Sequence, residues 1–208
     1  MQQQGIRVIK AVRLCVLAAC LAPLPAAAQS AWQAVEKIQA YAIKGRTGPE
    51  LYASIGEHGP KVGSLKLRTI AHTNFTLTWS RKYERQDDGS CMLVSARPNL
   101  TITYMLPRPS EKLPPAIRRN WEVFYNGVHA HEQVHGDIIK DMVREIEQLS
   151  IGFSTPDDPD CRKVRTNLTR RLAEISLMQR QRSRDFDQVE MSDGGNVHQL
   201  ILALVNGG

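Results

Sequence analysis

The chain has 208 residues, 42% of them hydrophobic and 23% charged, with a formal net charge of +6. This length and composition fit one globular domain with its own hydrophobic core, and they argue against a chain of several domains. The sequence contains no internal repeat and no low-complexity tract.

Residues 1–28 have the three parts of a secretory signal peptide. A basic start holds Arg7, Lys10 and Arg13, a short apolar run follows it, and Ala26-Ala27-Ala28 forms a small-residue cleavage site. The apolar run is too short for a membrane-spanning helix. We predict cleavage after Ala28, a single domain over residues 29–208, and a periplasmic or secreted protein without a transmembrane segment.

A second processing site lies inside the same segment. Leu17-Ala18-Ala19-Cys20 has the form of a bacterial lipoprotein signal, in which Cys20 would carry a lipid anchor. Only six residues separate Arg13 from Cys20, which is short for the apolar region of a signal peptide. Cleavage after Ala28 is therefore favoured, and the lipid anchor stays an alternative. Both place the protein outside the cytoplasm.

Loss of residues 1–28 lowers the net charge from +6 to +3, because the segment holds three basic residues and no acidic ones. Much of the remaining basic charge lies late in the chain, at Arg162, Lys163, Arg165, Arg170, Arg171, Arg180, Arg182 and Arg184. We interpret these residues as the solvated face of a helix and predict no specific nucleic-acid partner.

A short strand and a short helix are predicted first. Tyr41 to Lys44 alternate like a strand. Thr47 and Glu50 have the spacing of a capping box, in which each side chain bonds the backbone N–H of the other. The helix should run to about Glu57 and stop at Gly59-Pro60.

Residues 65–106 are predicted to form a small antiparallel sheet. Phe75, Leu77 and Trp79 alternate with polar residues, and so do Leu100, Ile102, Tyr104 and Leu106. Residues 86–90 carry the turn chemistry of a hairpin between the two runs. The aromatic side chains of these strands are expected in the core.

A long helix is predicted from Pro114-Pro115 to Ile151-Gly152, because proline suits a first helical turn. Apolar residues recur at helical spacing along it, at Trp121, Phe124, Val128, Ile139, Met142, Ile146 and Leu149. His131 and His135 fall on or beside this stripe. These elements predict an α+β fold in which the sheet packs on this helix.

The long helix contains His-Glu-x-x-His, at residues 131–135. Two histidines four residues apart on a helix can reach one metal ion, and Glu132 can take a proton from a water molecule beside that ion. This arrangement predicts a Zn²⁺ site with His131 and His135 as ligands and Glu132 as general base. Two histidines with no metal are the alternative.

A further helix is predicted from about Cys161, antiparallel to the metal-binding helix. Its apolar face would hold Val164, Leu168, Leu172, Ile175 and Met178. From Asp185 onward the pattern of apolar residues does not predict where the helix ends. Residues 193–196 are expected to form a loop, and Val197 to Val205 are apolar enough to pack back on the domain.

Cys91 and Cys161 are the two cysteines that remain after signal cleavage. In an oxidising compartment we predict a disulfide bond between them, with two unpaired buried thiols as the alternative. The bond would close a loop of about 70 residues and stabilise the fold by about 4 kcal/mol.

The ordered set of segments resembles a known family. It includes Tyr41 to Gly63 (YAIKGRTGPELYASIGEHGPKVG), the strand ending at Trp79, the single Cys91, the strand from Leu100 to Pro107, and the helix with HEQVH. Together they resemble the predicted secreted zinc-dependent proteases of bacteria, a family catalogued as a domain of unknown function. The resemblance covers roughly residues 40–175. It implies a secreted α+β domain with a zincin-type site at His131, Glu132 and His135.

The third zinc ligand must come from another part of the chain. A catalytic zinc normally takes three protein ligands. Asp141 is about 240° around the helix from His135, and Glu145 is about 15 Å along it, so neither can share the ion. His129 faces the opposite side. The remaining candidates, in order of preference, are Asp193, Glu174, Glu190 and His198; His58 and His72 lack supporting context.

The sequence thus predicts a secreted zinc metallopeptidase that hydrolyses a peptide or protein substrate with Glu132 as general base. One alternative is a periplasmic module that binds a metal without turnover. Another is a cell-envelope binding module that uses the arginine-rich helix, whose binding would weaken with salt and would not depend on zinc.

Overall fold

The computed structural model describes residues 32–63 and 67–207. These residues form the predicted α+β fold. In chain order the elements are β1 (Val35–Ile43), α1 (Gly48–His58), β2 (Lys61–Val62), β3 (Leu67–Arg68), β4 (His72–Arg85), β5 (Cys91–Pro109), α2 (Pro115–Ser150), β6 (Ser154–Thr155), α3 (Lys163–Met191) and α4 (Asn196–Asn206). The predicted signal peptide, the limit between residues 28 and 29, and the alternative anchor at Cys20 lie outside the described residues.

The main sheet has the strand order β1-β5-β4, and β6 pairs with β5. β4 and β5 form the predicted antiparallel hairpin, with Gly89 in the left-handed region (φ 79°) at its turn. β1, however, runs parallel to β5. The antiparallel pairing expected within residues 65–106 is confirmed for β4 and β5, and β1, which that expectation did not include, makes the whole sheet mixed. α1 and β4 separate β1 from β5 in sequence, which gives the long connection that parallel neighbours need.

One face of β5 forms the centre of the core. Leu100, Ile102, Tyr104 and Leu106 are each 2% exposed or less, as their alternation predicted. They belong to one cluster with apolar side chains of all four helices. Burial of these side chains fixes α2 against the sheet, at roughly 1.5–3 kcal/mol for each large apolar side chain.

A glycine lets α2 approach β5 beside the motif. The hydroxyl of Tyr104 occupies the place that a Cβ atom at Gly136 would take. The same hydroxyl donates a hydrogen bond to Glu36 Oε2 at 2.6 Å, and Lys140 Nζ lies 3.0 Å from Glu36 Oε1. Strand β1, strand β5 and helix α2 are thereby joined next to His135.

The helices begin and end close to the predicted residues. Thr47 and Glu50 form both bonds of the capping box of α1. α2 ends at Ser150, next to the predicted stop. α3 begins at Lys163 and continues to Met191, six residues past the point where the sequence pattern became unclear. Met178 is 49% exposed, so its assignment to the apolar face of α3 was wrong.

The predicted disulfide bond joins Cys91 at the start of β5 to Cys161 just before α3. It fixes the sheet to the helix that follows α2. Asp158, which is 2% exposed, caps α3: its carboxylate accepts hydrogen bonds from the backbone N–H groups of Arg162, Lys163 and Val164 at 2.8–3.0 Å. α4 packs against α1, α2 and α3, as expected for Val197 to Val205. No helix within residues 32–63 and 67–207 is both long and apolar enough to cross a membrane.

Candidate metal centre

His131 and His135 project from the same face of α2, one turn apart. His131 is 4% exposed, and the two Nε2 atoms lie 3.2 Å from each other. Only one of two facing nitrogens can carry the proton of a hydrogen bond between them, so the other presents a lone pair. The Nε2 atoms of the two predicted ligands therefore lie close enough to reach one metal ion.

A carboxylate from α3 completes the cluster. Asp187 Oδ1 lies 3.2 Å from His131 Nε2 and 2.9 Å from His135 Nε2. The three residues form the one group among the described residues that could hold a metal ion. Two imidazoles and a carboxylate match the donor types of catalytic zinc sites.

The distances also fit zinc. Tetrahedral zinc with bonds of about 2.0–2.1 Å keeps its ligand atoms about 3.3–3.4 Å apart. The three atoms of the cluster are separated by 2.9–3.2 Å, so a small outward movement would accommodate the ion. The residues present therefore fit a divalent metal such as zinc.

None of the four predicted candidates for the third ligand belongs to this group. Glu174 pairs with Arg171, and His198 Nδ1 accepts from the backbone N–H of Gly194. Asp193 lies exposed in the loop after α3. Glu190 approaches the cluster but faces the other ring nitrogen of His131, at 3.6 Å from Nδ1. Asp187, which was not among the candidates, occupies the position of the third ligand atom.

Glu132 lies beside the cluster and is 4% exposed. Thr73 of β4 fixes it: Thr73 Oγ1 is 2.6 Å from Glu132 Oε2 and 3.0 Å from the backbone oxygen of the same residue. Because Thr73 belongs to the sheet and Glu132 to α2, the orientation of the carboxylate depends on the packing of these two layers.

The charges of the cluster stabilise one another. Burial alone would lower the pKa of His131, but its hydrogen bond to Asp187 and the nearby carboxylates of Glu132 and Glu190 raise that pKa above its usual value. Burial would raise the pKa of Asp187, but the hydrogen bonds from both histidines hold it well below its usual range. The site therefore favours a positive charge, such as a proton or a metal ion, between His131, His135 and Asp187.

Phe186 covers one side of the histidine pair. Its ring stacks on His131 at 4.7 Å between centroids and meets His135 edge to face at 5.4 Å. One turn of α3 thus supplies an aromatic wall, at Phe186, and a donor oxygen, at Asp187.

The cluster opens into a groove of about 630 Å³. β4 contributes His72, Thr73 and Phe75 to one wall, and α3 contributes Arg180, Arg184 and Met191 to the other. Phe75 is 37% exposed, so the expectation that the strand aromatics are core residues was wrong for this ring. Glu132 also lines this groove.

Sequence reasoning missed Asp187, Thr73 and Phe186. A signal for Asp187 was present: Phe186 lies eleven residues after Ile175, which continues the apolar stripe of α3 by three turns. Extending the helix by that stripe would have brought Asp187 next to the antiparallel α2. His72, considered without context, lines the groove, and burial lowers the pKa of its imidazole.

Comparison with known families matches residues 38–195 to bacterial proteins of unknown function, the family DUF922. No curated protein and no solved structure matches the chain. The matched span contains β4, β5, α2 and α3 and so includes every residue of the cluster and both cysteines of the disulfide bond. The chain belongs to the bacterial family of unknown function DUF922.

Proposed function

We propose that the protein is a zinc-dependent peptidase of the cell exterior, with His131, His135 and Asp187 as metal ligands and Glu132 as general base. The observation that carries this proposal is the position of Glu132. A buried carboxylate lies beside a three-ligand cluster and in the wall of an open groove. A purely structural metal site is closed by four protein ligands and needs no such neighbour.

Zinc bound by the three ligands would act as a Lewis acid that polarises a carbonyl group and acidifies a water molecule. Glu132 carries out the proton transfers. Glu132 takes one proton from the attacking water and returns it to the amide nitrogen as the C–N bond breaks. The water oxygen, with the second proton, becomes part of the new carboxylic acid, which releases that proton to solvent as it ionises, and the amine leaves. Thr73 keeps the Glu132 carboxylate oriented during both transfers.

The groove supports a substrate in extended conformation. β4 lies at the edge of the main sheet, and a peptide can add to such an edge as a further strand. Phe75 offers an apolar contact beside the cluster. The substrate would thus be bound through its backbone on the β4 side and through its side chains elsewhere.

The α3 wall adds a charge preference. Arg180 and Arg184 line the groove, and neither forms an ion pair with a carboxylate of the described residues. They precede Asp187 by seven and three residues, or by about 10.5 and 4.5 Å along the helix. Because an extended peptide advances about 3.3 Å per residue, we propose that the groove prefers an acidic side chain within about three residues of the cleaved bond.

The test compares the parent protein with Glu132→Gln and with Glu145→Gln, an exposed position on the same helix. Zinc per chain and cleavage of an unfolded protein are measured for each. We expect near one zinc in all three and a 10²–10⁴-fold loss of cleavage for Glu132→Gln alone. Zinc binding without cleavage by the parent would instead favour the metal-binding module without turnover. No zinc in the parent would refute the metal site.

A further inference from the structure

We infer that Glu190 is a positioning residue, which holds the imidazole of His131 in the orientation that metal binding requires by accepting a hydrogen bond from Nδ1. The inference rests on the metal site of the proposed function and goes beyond its ligand set. Glu190 was a candidate for the ligand itself, and the geometry points to this different role.

The two nitrogens of His131 face different surroundings. Nε2 faces Asp187 and His135, whereas Nδ1 is buried and has no hydrogen-bond partner among the described residues. Glu190 Oε2 lies 3.6 Å from Nδ1, and its side chain is 18% exposed. A carboxylate is therefore placed at the one polar atom of the ring whose bonding is incomplete.

A hydrogen-bond acceptor at this atom favours metal binding. If the lone pair of Nε2 binds a metal, the neutral imidazole carries its proton on Nδ1. A buried N–H without an acceptor is costly, so an acceptor at Nδ1 favours the tautomer that can bind. A movement of well under 1 Å would bring Glu190 Oε2 from 3.6 Å to hydrogen-bond distance.

Glu190 is itself held in place from the next helix. Asn196 Nδ2, at the start of α4, donates to Glu190 Oε2 at 3.1 Å. Phe186 stacks on the ring of His131 and limits its rotation. Phe186 of α3 thus holds the face of the ring, and Asn196 of α4 holds the carboxylate that faces Nδ1. The segment between these helices becomes a support of the metal site.

The experiment measures zinc affinity by competition with a chelator, for the parent, Glu190→Gln, Glu190→Leu and Glu174→Gln. Glu174 is exposed on the same helix and serves as the control. We expect Glu190→Leu to weaken zinc binding about 10–100-fold and Glu174→Gln to leave it unchanged. Glu190→Gln should fall between them, since an amide oxygen accepts a hydrogen bond without the charge.

A spectroscopic measurement separates this role from a general loss of structure. In the zinc-loaded parent with ¹⁵N-labelled histidine, we expect the His131 Nδ1–H proton to be protected from exchange with water. The protection should persist in Glu190→Gln and disappear in Glu190→Leu. Melting of the metal-free proteins verifies that each variant folds.

Two outcomes would overturn the inference. If Glu190→Leu binds zinc within twofold of the parent, Nδ1 does not depend on Glu190. If Glu190→Gln loses zinc as completely as a variant lacking Asp187, Glu190 is a ligand. Both outcomes are measured by zinc binding alone. A parent protein that binds zinc without cleaving the unfolded protein would favour the metal-binding module without turnover, and this test would stay valid.

Discussion

Thr73 Oγ1 on β4 lies 2.6 Å from the Glu132 carboxylate on α2, and Glu132 follows His131 of the candidate metal site. This bond is the direct link between the sheet and the proposed general base. It makes the orientation of the base a property of the fold rather than of the helix alone.

Replacement of this threonine tests that link. Thr73→Val keeps the shape and removes the hydroxyl, so the carboxylate of Glu132 loses its fixed donor. We expect kcat/KM for peptide cleavage to fall about 10-fold or more, because proton transfer depends on a positioned carboxylate. Zinc affinity should not change. Thr73→Ser, which keeps the hydroxyl, should retain most of the activity; equal losses in the two variants would contradict the role of the hydrogen bond.

Asp187 gives a second prediction. Asp187→Asn removes the anionic donor that meets both histidines at 2.9–3.2 Å. We expect zinc affinity to fall at least about 100-fold, equivalent to about 2.8 kcal/mol. Asp185→Asn changes an exposed carboxylate two residues away and should bind zinc like the parent. Unchanged binding in Asp187→Asn would exclude it as a ligand.

The two histidines and Asp187 also show what a sequence can predict. The histidine pair belongs to one helix, so a spacing of four residues is enough to place both side chains together. Asp187 meets them only because α3 continues past Asp185 and packs antiparallel on α2 in one register. The apolar stripe that reaches Phe186 indicates the length of α3, but it does not specify that register. The third ligand was therefore sought at other positions, at Glu174 earlier on α3 and at Glu190, Asp193 and His198 later in the chain.

Other parts of the fold were predictable for similar reasons. Thr47 and Glu50 interact within one turn, so their spacing predicts the capping box. The disulfide bond was predictable because signal cleavage would leave only Cys91 and Cys161 to pair. The parallel pairing of β1 with β5 was not predictable, because the alternation of apolar and polar residues in a strand does not show whether its neighbour runs parallel or antiparallel.

The arginines of the groove predict a charge preference. The double variant Arg180→Glu with Arg184→Glu should cleave peptides with a glutamate near the bond about 3–10-fold less well, and peptides with a lysine there better than the parent does. Paired peptides that differ only at that residue would measure this in low salt. Arg170→Glu with Arg171→Glu gives the same charge change away from the groove. If this control shifts the preference equally, net charge is responsible and the groove is not.

The disulfide bond predicts a large change in stability. Replacing Cys91 and Cys161 by alanine opens a loop with a sequence separation of 70. By the chain-entropy estimate, the free energy of unfolding should fall by about 4 kcal/mol in urea titrations. Reduction of the parent should lower it by a similar amount. A loss below about 1 kcal/mol in both experiments would mean that the bond does not constrain the unfolded chain as expected.

The cap of α3 predicts a dependence of stability on acid. The Asp158 carboxylate is buried, which by itself would raise its pKa, but three backbone N–H groups donate to it and lower that pKa below its usual value of 3.8. A carboxyl group with a lowered pKa in the folded state stabilises the fold fully above its unfolded pKa, and this stabilisation is lost as pH falls through the folded pKa. Melting temperatures measured from pH 7 to pH 2 should therefore fall more steeply for the parent below about pH 4 than for Asp158→Asn, which should start from a lower melting temperature at pH 7. Asp157→Asn, at the exposed neighbouring position, should follow the parent. If Asp158→Asn and the parent lose stability in parallel across this range, the acid dependence comes from other carboxylates.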